Sequence, residues 1–211
     1  MIDLQEDRLD FQRLDALVDG WLADERPATR PDLVVNSATG EPGAAAGSRV
    51  NIYGWGIALR PGATRVLMDG LDARVASVET IDGSELVIAI VPEGLRGKTS
   101  ARLQVVSGEE RSDEIEVEVK EVQPGIYPLT YAAPPGGRVN LLVSGIGGCG
   151  RAISVTAGGK PAPLNSCSAS GWYPGAWEVE VTLSPDLPPG ETPLVLEVEG
   201  LTSPQYRVRV E

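Results

Sequence analysis

Histidine is absent from the 211-residue sequence, which removes the commonest general base and the commonest metal ligand of proteins. Ser-His-Asp and Cys-His catalysis are therefore excluded within this chain. Two cysteines are too few for a four-ligand zinc site, and no carboxylate cluster stands near them in the sequence. The sequence also lacks a Gly-x-Ser-x-Gly elbow and a Walker loop. These absences predict a chain that is not an enzyme and that holds no cofactor and no metal.

Two weaker features allow a catalytic or nucleotide site without favouring one. Residues 145–150 are rich in glycine, but they match no dinucleotide fingerprint and precede no predicted helix, so a turn between strands is the better interpretation. Asp69 and Asp72 could act as an acid–base pair, yet nothing in the sequence marks a cleft around them. Acidic pairs in surface loops are more often solvated charges.

Long apolar runs and an excess of basic residues are also missing. No run approaches the roughly 18 to 20 apolar residues of a membrane span. The formal net charge is −12, which repels phosphate backbones and anionic lipid surfaces. We therefore expect no nucleic-acid partner and no membrane span. No secretory signal is visible at the N-terminus, so a cytoplasmic or particle-associated location stays open.

Short strands separated by turns dominate what is present. The chain has 25 glycines, 17 prolines and one phenylalanine, a composition typical of strands whose cores consist of Val, Leu and Ile. From residue 32 onward apolar residues alternate with polar ones, as in residues 48–54 and 114–119. The second of these stretches places Ile115, Val117 and Val119 on one face and glutamates on the other.

The second half of the chain repeats the pattern of the first. Stretches that correspond in order and spacing are 48–52 with 137–141, 69–73 with 158–162, 84–88 with 176–181, 92–97 with 184–190 and 101–108 with 193–200. This repetition indicates a tandem duplication. It predicts an N-terminal segment at 1–31, one β-sandwich at 32–123 and a second at 124–211.

The order of these motifs resembles the IPT/TIG class of immunoglobulin-like domains. The chain is similar in particular to an uncharacterised secreted C-terminal module of acidobacterial type, which carries two such domains. The stretches that carry the resemblance are 35–38, 124–127, 158–163, 174–179 and 187–193. The resemblance implies an all-β fold of two tandem immunoglobulin-like sandwiches, no shared active site, and an extracellular or cell-envelope location.

Residues 3–25 form the one segment with helical spacing. Its apolar stripe consists of Leu4, Phe11, Leu14, Leu17, Val18, Trp21 and Leu22. Pro27, followed by Pro31, ends the segment. A lone helix of this length is marginal in water, so the stripe needs a cover. Packing on the neighbouring domain and docking on a partner or a second copy are both open interpretations.

The two cysteines, Cys149 and Cys167, both lie near predicted loops of the second sandwich. A disulfide between them is the favoured interpretation and would indicate an oxidising compartment. Two free thiols are the alternative.

Exposed aromatic residues are the remaining candidates for contact with a partner. Trp55 follows the first alternating strand, and Trp172 and Tyr173 lie in a Gly- and Pro-containing loop. Together with Phe11, Leu14, Val18 and Trp21 they predict a structural or protein-interaction module, one that binds a protein partner or self-associates. The first alternative is a glycan-binding module, because Trp and Tyr stack on sugar rings. The second is an accessory subunit of a phage-like or contractile particle.

Overall fold

Alternating apolar and polar side chains produce strands throughout the part of the chain that the structure describes. The structure is a computed structural model, and it describes residues 29–58, 61–81 and 84–211. The predicted N-terminal helix lies outside these residues. Described helical structure is limited to two short 3-10 turns, Pro61–Ala63 and Glu93–Leu95. Neither described turn is long or apolar enough to cross a membrane.

The strands group into two sandwiches. Those of the first are β1 (Arg30–Asn36), β2 (Ala44–Ala45), β3 (Arg49–Trp55), β4 (Thr64–Met68), β5 (Leu71–Ile81), β6 (Ser84–Ile90), β7 (Ser100–Ser107), β8 (Glu110–Arg111) and β9 (Ile115–Lys120). Those of the second are β10 (Gly125–Ile126), β11 (Ala132–Ala133), β12 (Arg138–Ser144), β13 (Ile153–Ala157), β14 (Lys160–Pro161), β15 (Leu164–Ala169), β16 (Trp177–Thr182), β17 (Gly190–Val198), β18 (Leu201–Thr202) and β19 (Tyr206–Val210).

In the first sandwich one long strand belongs to both layers. One layer has the order β1-β3-β6-β5, the other has β5-β4-β7-β9, and β2 runs parallel to β9. Strand β5 pairs with β4 near Ala73 and with β6 from Arg74 onward. A bulge between Val75 and Ser77 accompanies the change of layer, as bulges bend strands and increase their twist.

The second sandwich has the same layout with this strand divided. One layer has the order β10-β12-β16-β15 and the other has β11-β19-β17-β13-β14. Strands β14 and β15 take the places of the two ends of β5. Pro161 and Pro163 lie at the division, where proline cannot donate to a sheet ladder. The matching strand order confirms the predicted all-β fold of two tandem sandwiches.

Each sandwich has its own core of small and branched apolar residues. The first is built around Val50, Ile52, Val66, Leu103 and Val105, all fully buried. The second is built around Leu141, Val179, Val181, Leu194 and Val208. The boundaries at residues 32, 123 and 124 stay predictions.

Candidate functional site

A short connection at Gln123 joins the two sandwiches and is bonded to both. Its backbone N–H donates to the Gly145 carbonyl at 2.8 Å, and its own carbonyl accepts from Asn36 Nδ2 at 2.8 Å. The side-chain Nε2 of Gln123 donates to the Pro42 carbonyl at 2.9 Å. Because Gln123 is 4% exposed, water competes little for these bonds, and they restrict movement between the sandwiches.

A small apolar cluster packs beside this connection, and we call the connection and the cluster together the junction. Tyr127, Leu142 and Ala176 of the second sandwich are buried in it, with Ala38 of the first sandwich and Tyr173 packed against them. Burial raises the pKa of the Tyr127 hydroxyl well above its ordinary value, although the Ser144 hydroxyl acts in the opposite direction. The Tyr127 hydroxyl therefore stays neutral to a higher pH than that of a solvated tyrosine.

The loop at residues 170–175 covers this junction and is held by its own hydrogen bonds. The Ser170 hydroxyl donates to Glu178 Oε1 at 2.9 Å and accepts from the Tyr173 backbone N–H at 3.2 Å. The Ala176 N–H donates to the Tyr173 carbonyl at 3.1 Å. Gly175 has φ +81°, and a Cβ there would lie 3.1 Å from Ile90 Cγ1, so glycine allows the close approach to the first sandwich.

Tyr173 anchors the loop instead of facing solvent. The Arg49 guanidinium of the first sandwich lies 4.1 Å from its ring centroid, within the range of a cation–π interaction. The Tyr127 ring meets it edge-on at 5.0 Å. Tyr173 is consequently half-buried, although the sequence grouped it with the exposed contact residues. The reason is that Arg49, which is distant in sequence, lies beneath it.

Trp172, the neighbour of Tyr173 in the loop, is exposed. Its side chain is 65% exposed and its ring centroid lies 5.5 Å from that of Tyr173. A large ring on an anchored loop loses little conformational freedom when it binds, which favours Trp172 as a contact residue. Trp177, the first residue of β16, packs instead against the second core, as its alternation with Val179 predicts.

A cleft of about 570 Å³ lies next to this loop, between the two sandwiches. Its wall combines charged side chains of the first sandwich with the loop and an indole of the second, and includes Asp72, Arg74, Glu93, Ser170, Gly175 and Trp177. The cleft thus offers hydrogen-bond donors and acceptors beside an aromatic ring.

The two carboxylates considered as an acid–base pair bind different partners. Asp69 accepts from Lys98 Nζ at 2.6 Å and from the Arg102 N–H at 2.8 Å, while Asp72 pairs with Arg65 at 2.7 Å. The hydrogen bond from Lys98 holds the pKa of Asp69 below its ordinary value. A carboxylate stabilised as the anion is a poor proton donor at neutral pH.

The predicted disulfide is present in the structure and lies close to the junction. Cys149 and Cys167 are bonded, with 5.6 Å between their Cα atoms. The bridge ties the loop after β12 to strand β15. In the same loop the Gly147 carbonyl accepts from Arg96 of the first sandwich at 3.3 Å. Arg151 binds both Glu199, at 2.6 Å, and Glu121 in the connection, whose pKa it lowers by hydrogen bonding.

The other predicted contact residues are not brought to this site. Trp55 is 53% exposed at the far end of β3 from Arg49, about 20 Å away along the strand. The helical candidates lie outside the described residues: Phe11, Leu14, Val18 and Trp21. Among the described residues no group of three or more His, Cys, Asp or Glu side chains could hold a metal ion.

The sequence did not identify Arg49 and Tyr127 as residues of the site. Arg49 corresponds to Arg138 in the repeat, and Arg138 is an exposed residue paired with Glu180. Nothing in the local sequence separates the two arginines, because the difference comes from the loop that packs over one of them.

Comparison with known proteins finds only structural similarity, at low sequence identity. No protein-family model and no curated protein matches the chain. Solved structures that resemble it include SGBP-B of the Bacteroides ovatus mixed-linkage glucan utilization locus, in complex with a mixed-linkage heptasaccharide. The identity is 14% and the TM-score 0.44, over 88% of this chain and 45% of that chain.

Two further structures are similar. The Plexin A4 extracellular region has 16% identity and a TM-score of 0.36, over 100% of this chain and 20% of that chain. Domains 5–6 of the S-layer protein SbsC have 14% identity and a TM-score of 0.33, over 87% of this chain and 98% of that chain. This chain thus spans less than half the length of the SGBP-B and Plexin A4 chains. At such identities and TM-scores the likenesses give no information about what it binds.

Proposed function

We propose that this chain is a non-catalytic binding module of an extracellular or envelope assembly, and that it contacts a protein partner through Trp172. The observation that carries the proposal is the 65% exposure of this indole on a loop whose neighbour Tyr173 is fixed between Arg49 and Tyr127. Tryptophan is enriched among the residues that dominate binding energy at interfaces, and pre-ordered loops bind with a smaller loss of entropy.

The Cys149–Cys167 disulfide supports the extracellular or envelope location. Disulfides persist in oxidising compartments and are rare where thiols are kept reduced. The bonded connection at Gln123 supports a spacing role, because it links the two sandwiches through both its backbone and its side chain.

A glycan ligand is the second candidate, and the cleft beside the loop favours it. Indole rings stack on sugar rings, while charged and hydroxyl side chains bind sugar hydroxyls. Trp177 lines the cleft together with Asp72, Arg74 and Glu93. The particle-subunit alternative stays a prediction from the sequence, without a supporting feature among the described residues.

Substitution of Trp172 by alanine tests the proposal. We expect Trp172→Ala to weaken partner binding by about 2 kcal/mol, or about 30-fold, because truncation of a central indole typically has this effect. The unfolding transition should not change, since the side chain is mostly solvated. The matched control is Leu201→Ala, which removes a side chain of 54% exposure in the short strand β18.

The measurement is retention of envelope proteins from the native source on immobilised wild type and both variants, quantified by mass spectrometry. A glycan array probed with the same three proteins runs in parallel. The protein-partner proposal expects proteins that wild type and Leu201→Ala retain and Trp172→Ala loses. Loss of a glycan signal alone would favour sugar binding through Trp172, and equal protein retention by all three would refute the protein-partner proposal. Absence of any glycan signal from the wild type would refute the sugar-binding candidate.

A further inference from the structure

The two sandwiches have equivalent four-stranded sheets whose outer faces differ in chemistry. In the second sandwich the outer face of β12 and β16 is polar except at Leu142, which packs in the cluster with Tyr127. Arg138 pairs with Glu180 at 3.2 Å, and Asn140 lies 3.5 Å from Glu178. Charged and amide side chains of this kind suit a sheet face that contacts water.

In the first sandwich the corresponding positions are apolar. Asn51 pairs with Ile88 as Asn140 pairs with Glu180, so Ile88 takes the place of Glu180. By the same register Leu86 takes the place of Glu178. Both side chains point away from the core, because their strand neighbours Val87 and Ala89 belong to it.

Neighbouring strands extend this surface, which we call the outer apolar face: Leu33, Tyr53, Trp55, Leu86 and Ile88. Leu33 pairs with Tyr53, and Tyr53 pairs with Leu86, so three adjacent strands contribute. Leu33 and Trp55 at its margin are 46% and 53% exposed.

The centre of the face is covered, and the cores do not cover it. Leu86 and Ile88 are 4% and 8% exposed, yet neither belongs to any of the three apolar clusters formed by the described residues. The loop at 173–175 reaches only the other end of the sheet, where Gly175 meets Ile90 and Arg49.

The chain enters the first sandwich beside this face. Strand β1 is the edge strand of the same sheet, and Arg30 at its start pairs with Trp55. The Thr29 hydroxyl donates to the Gly56 carbonyl at 3.4 Å, which fixes the entry point next to Trp55. The 28 residues that precede Thr29 contain the predicted amphipathic helix. At 23 residues that helix would span about 35 Å, against about 23 Å for β3.

We propose that residues 3–25 form an amphipathic helix that lies across the outer apolar face, with Leu14, Val18 and Trp21 packed over Leu86 and Ile88. Burial of both apolar surfaces gives the stability that the helix lacks alone. It also accounts for a predicted helix before the first sandwich only, because the outer face there is the more apolar of the two equivalent faces. The inference is separate from the proposed function, whose contact residue lies toward the other end of β3.

The test compares two charge-matched variants of the full chain. Leu14→Asp places a carboxylate in the apolar stripe, and Arg13→Gln changes the net charge by the same −1 on the opposite face of the predicted helix. Ile88→Glu installs the residue that the second sandwich carries at the equivalent position. Hydrogen exchange of residues 84–90, fluorescence of an apolar dye and mass by light scattering are measured for each variant and for the double variant.

We expect Leu14→Asp and Ile88→Glu each to increase exchange in β6 about tenfold and to increase dye binding, while Arg13→Gln behaves as wild type. The double variant should add little to either single change, because both remove the same contact. Circular dichroism verifies that Ile88→Glu retains its β signal, and Leu14→Asp tests the contact without altering a described strand.

Three results would overturn the proposal. Leu14→Asp could match Arg13→Gln in exchange and dye binding, or the two apolar-face changes could be fully additive. A wild-type dimer that Ile88→Glu dissociates and Leu14→Asp leaves intact would assign the cover to a second copy. None of these results affects retention through Trp172, so the two proposals fail independently.

Discussion

At the residue scale, Arg49 and Arg138 show how one repeated position acquires two roles. They begin equivalent strands, β3 and β12, but Arg49 is 7% exposed beneath Tyr173, whereas Arg138 pairs with Glu180 at the surface. A buried guanidinium needs a partner for its charge, and the Tyr173 ring supplies part of that compensation. The role of Arg49 is therefore set by contact between sandwiches and not by its own strand.

Gly145 offers the sharpest test of the junction at this scale. It has φ +69°, and a Cβ on it would lie 1.9 Å from the Gln123 carbonyl oxygen. We expect Gly145→Ala to destabilise the protein by about 2 kcal/mol or more, since both the backbone conformation and the close approach exclude a side chain. Chemical denaturation measures the change.

The control for this variant is Gly150→Ala in the same loop. No atom lies within 4 Å of a Cβ at Gly150, so its effect should stay within about 0.5 kcal/mol. If the two alanine variants unfold at the same denaturant concentration, the close packing at Gln123 is not a feature of the protein in solution.

At the scale of elements, the disulfide joins the loop that contacts the first sandwich to edge strand β15. It closes 18 residues, for which the chain-entropy model gives about 3 kcal/mol of stabilisation. We expect the Cys149→Ser, Cys167→Ser double variant to lose about this amount in denaturant unfolding. Wild type treated with reductant should unfold like the variant, and the variant itself should not respond to reductant. Two alkylated thiols in untreated protein by intact-mass measurement would show that the bridge does not form.

Most strands could be predicted from the sequence because alternation has a direct physical cause. Val117 and Val119 face the first core while Glu116 and Glu118 face water, as the pattern requires. The division between β14 and β15 was harder to predict from the sequence, since it depends on prolines that interrupt one copy of a strand and not the other. The anchoring of Tyr173 could not be predicted at all, because its partners Arg49 and Tyr127 are distant in sequence.

At the scale of the whole molecule, the candidate site depends on how the two sandwiches meet. The loop at 170–175 belongs to the second sandwich, but the first contributes Arg49 beneath it and Asp72, Arg74 and Glu93 beside it. With a flexible connection these groups would not keep fixed distances from one another. The hydrogen bonds and ion pair of Gln123, Arg96 and Arg151 join the two sandwiches and keep the groups in place. The candidate site therefore requires the two sandwiches to move as one body.

Residual dipolar couplings of the full chain in a single weakly aligning medium test this requirement most directly. We expect one alignment tensor to fit the backbone amides of residues 30–120 and 125–210 together. Two tensors of clearly different magnitude or orientation would show that the sandwiches move independently, and would contradict this expectation.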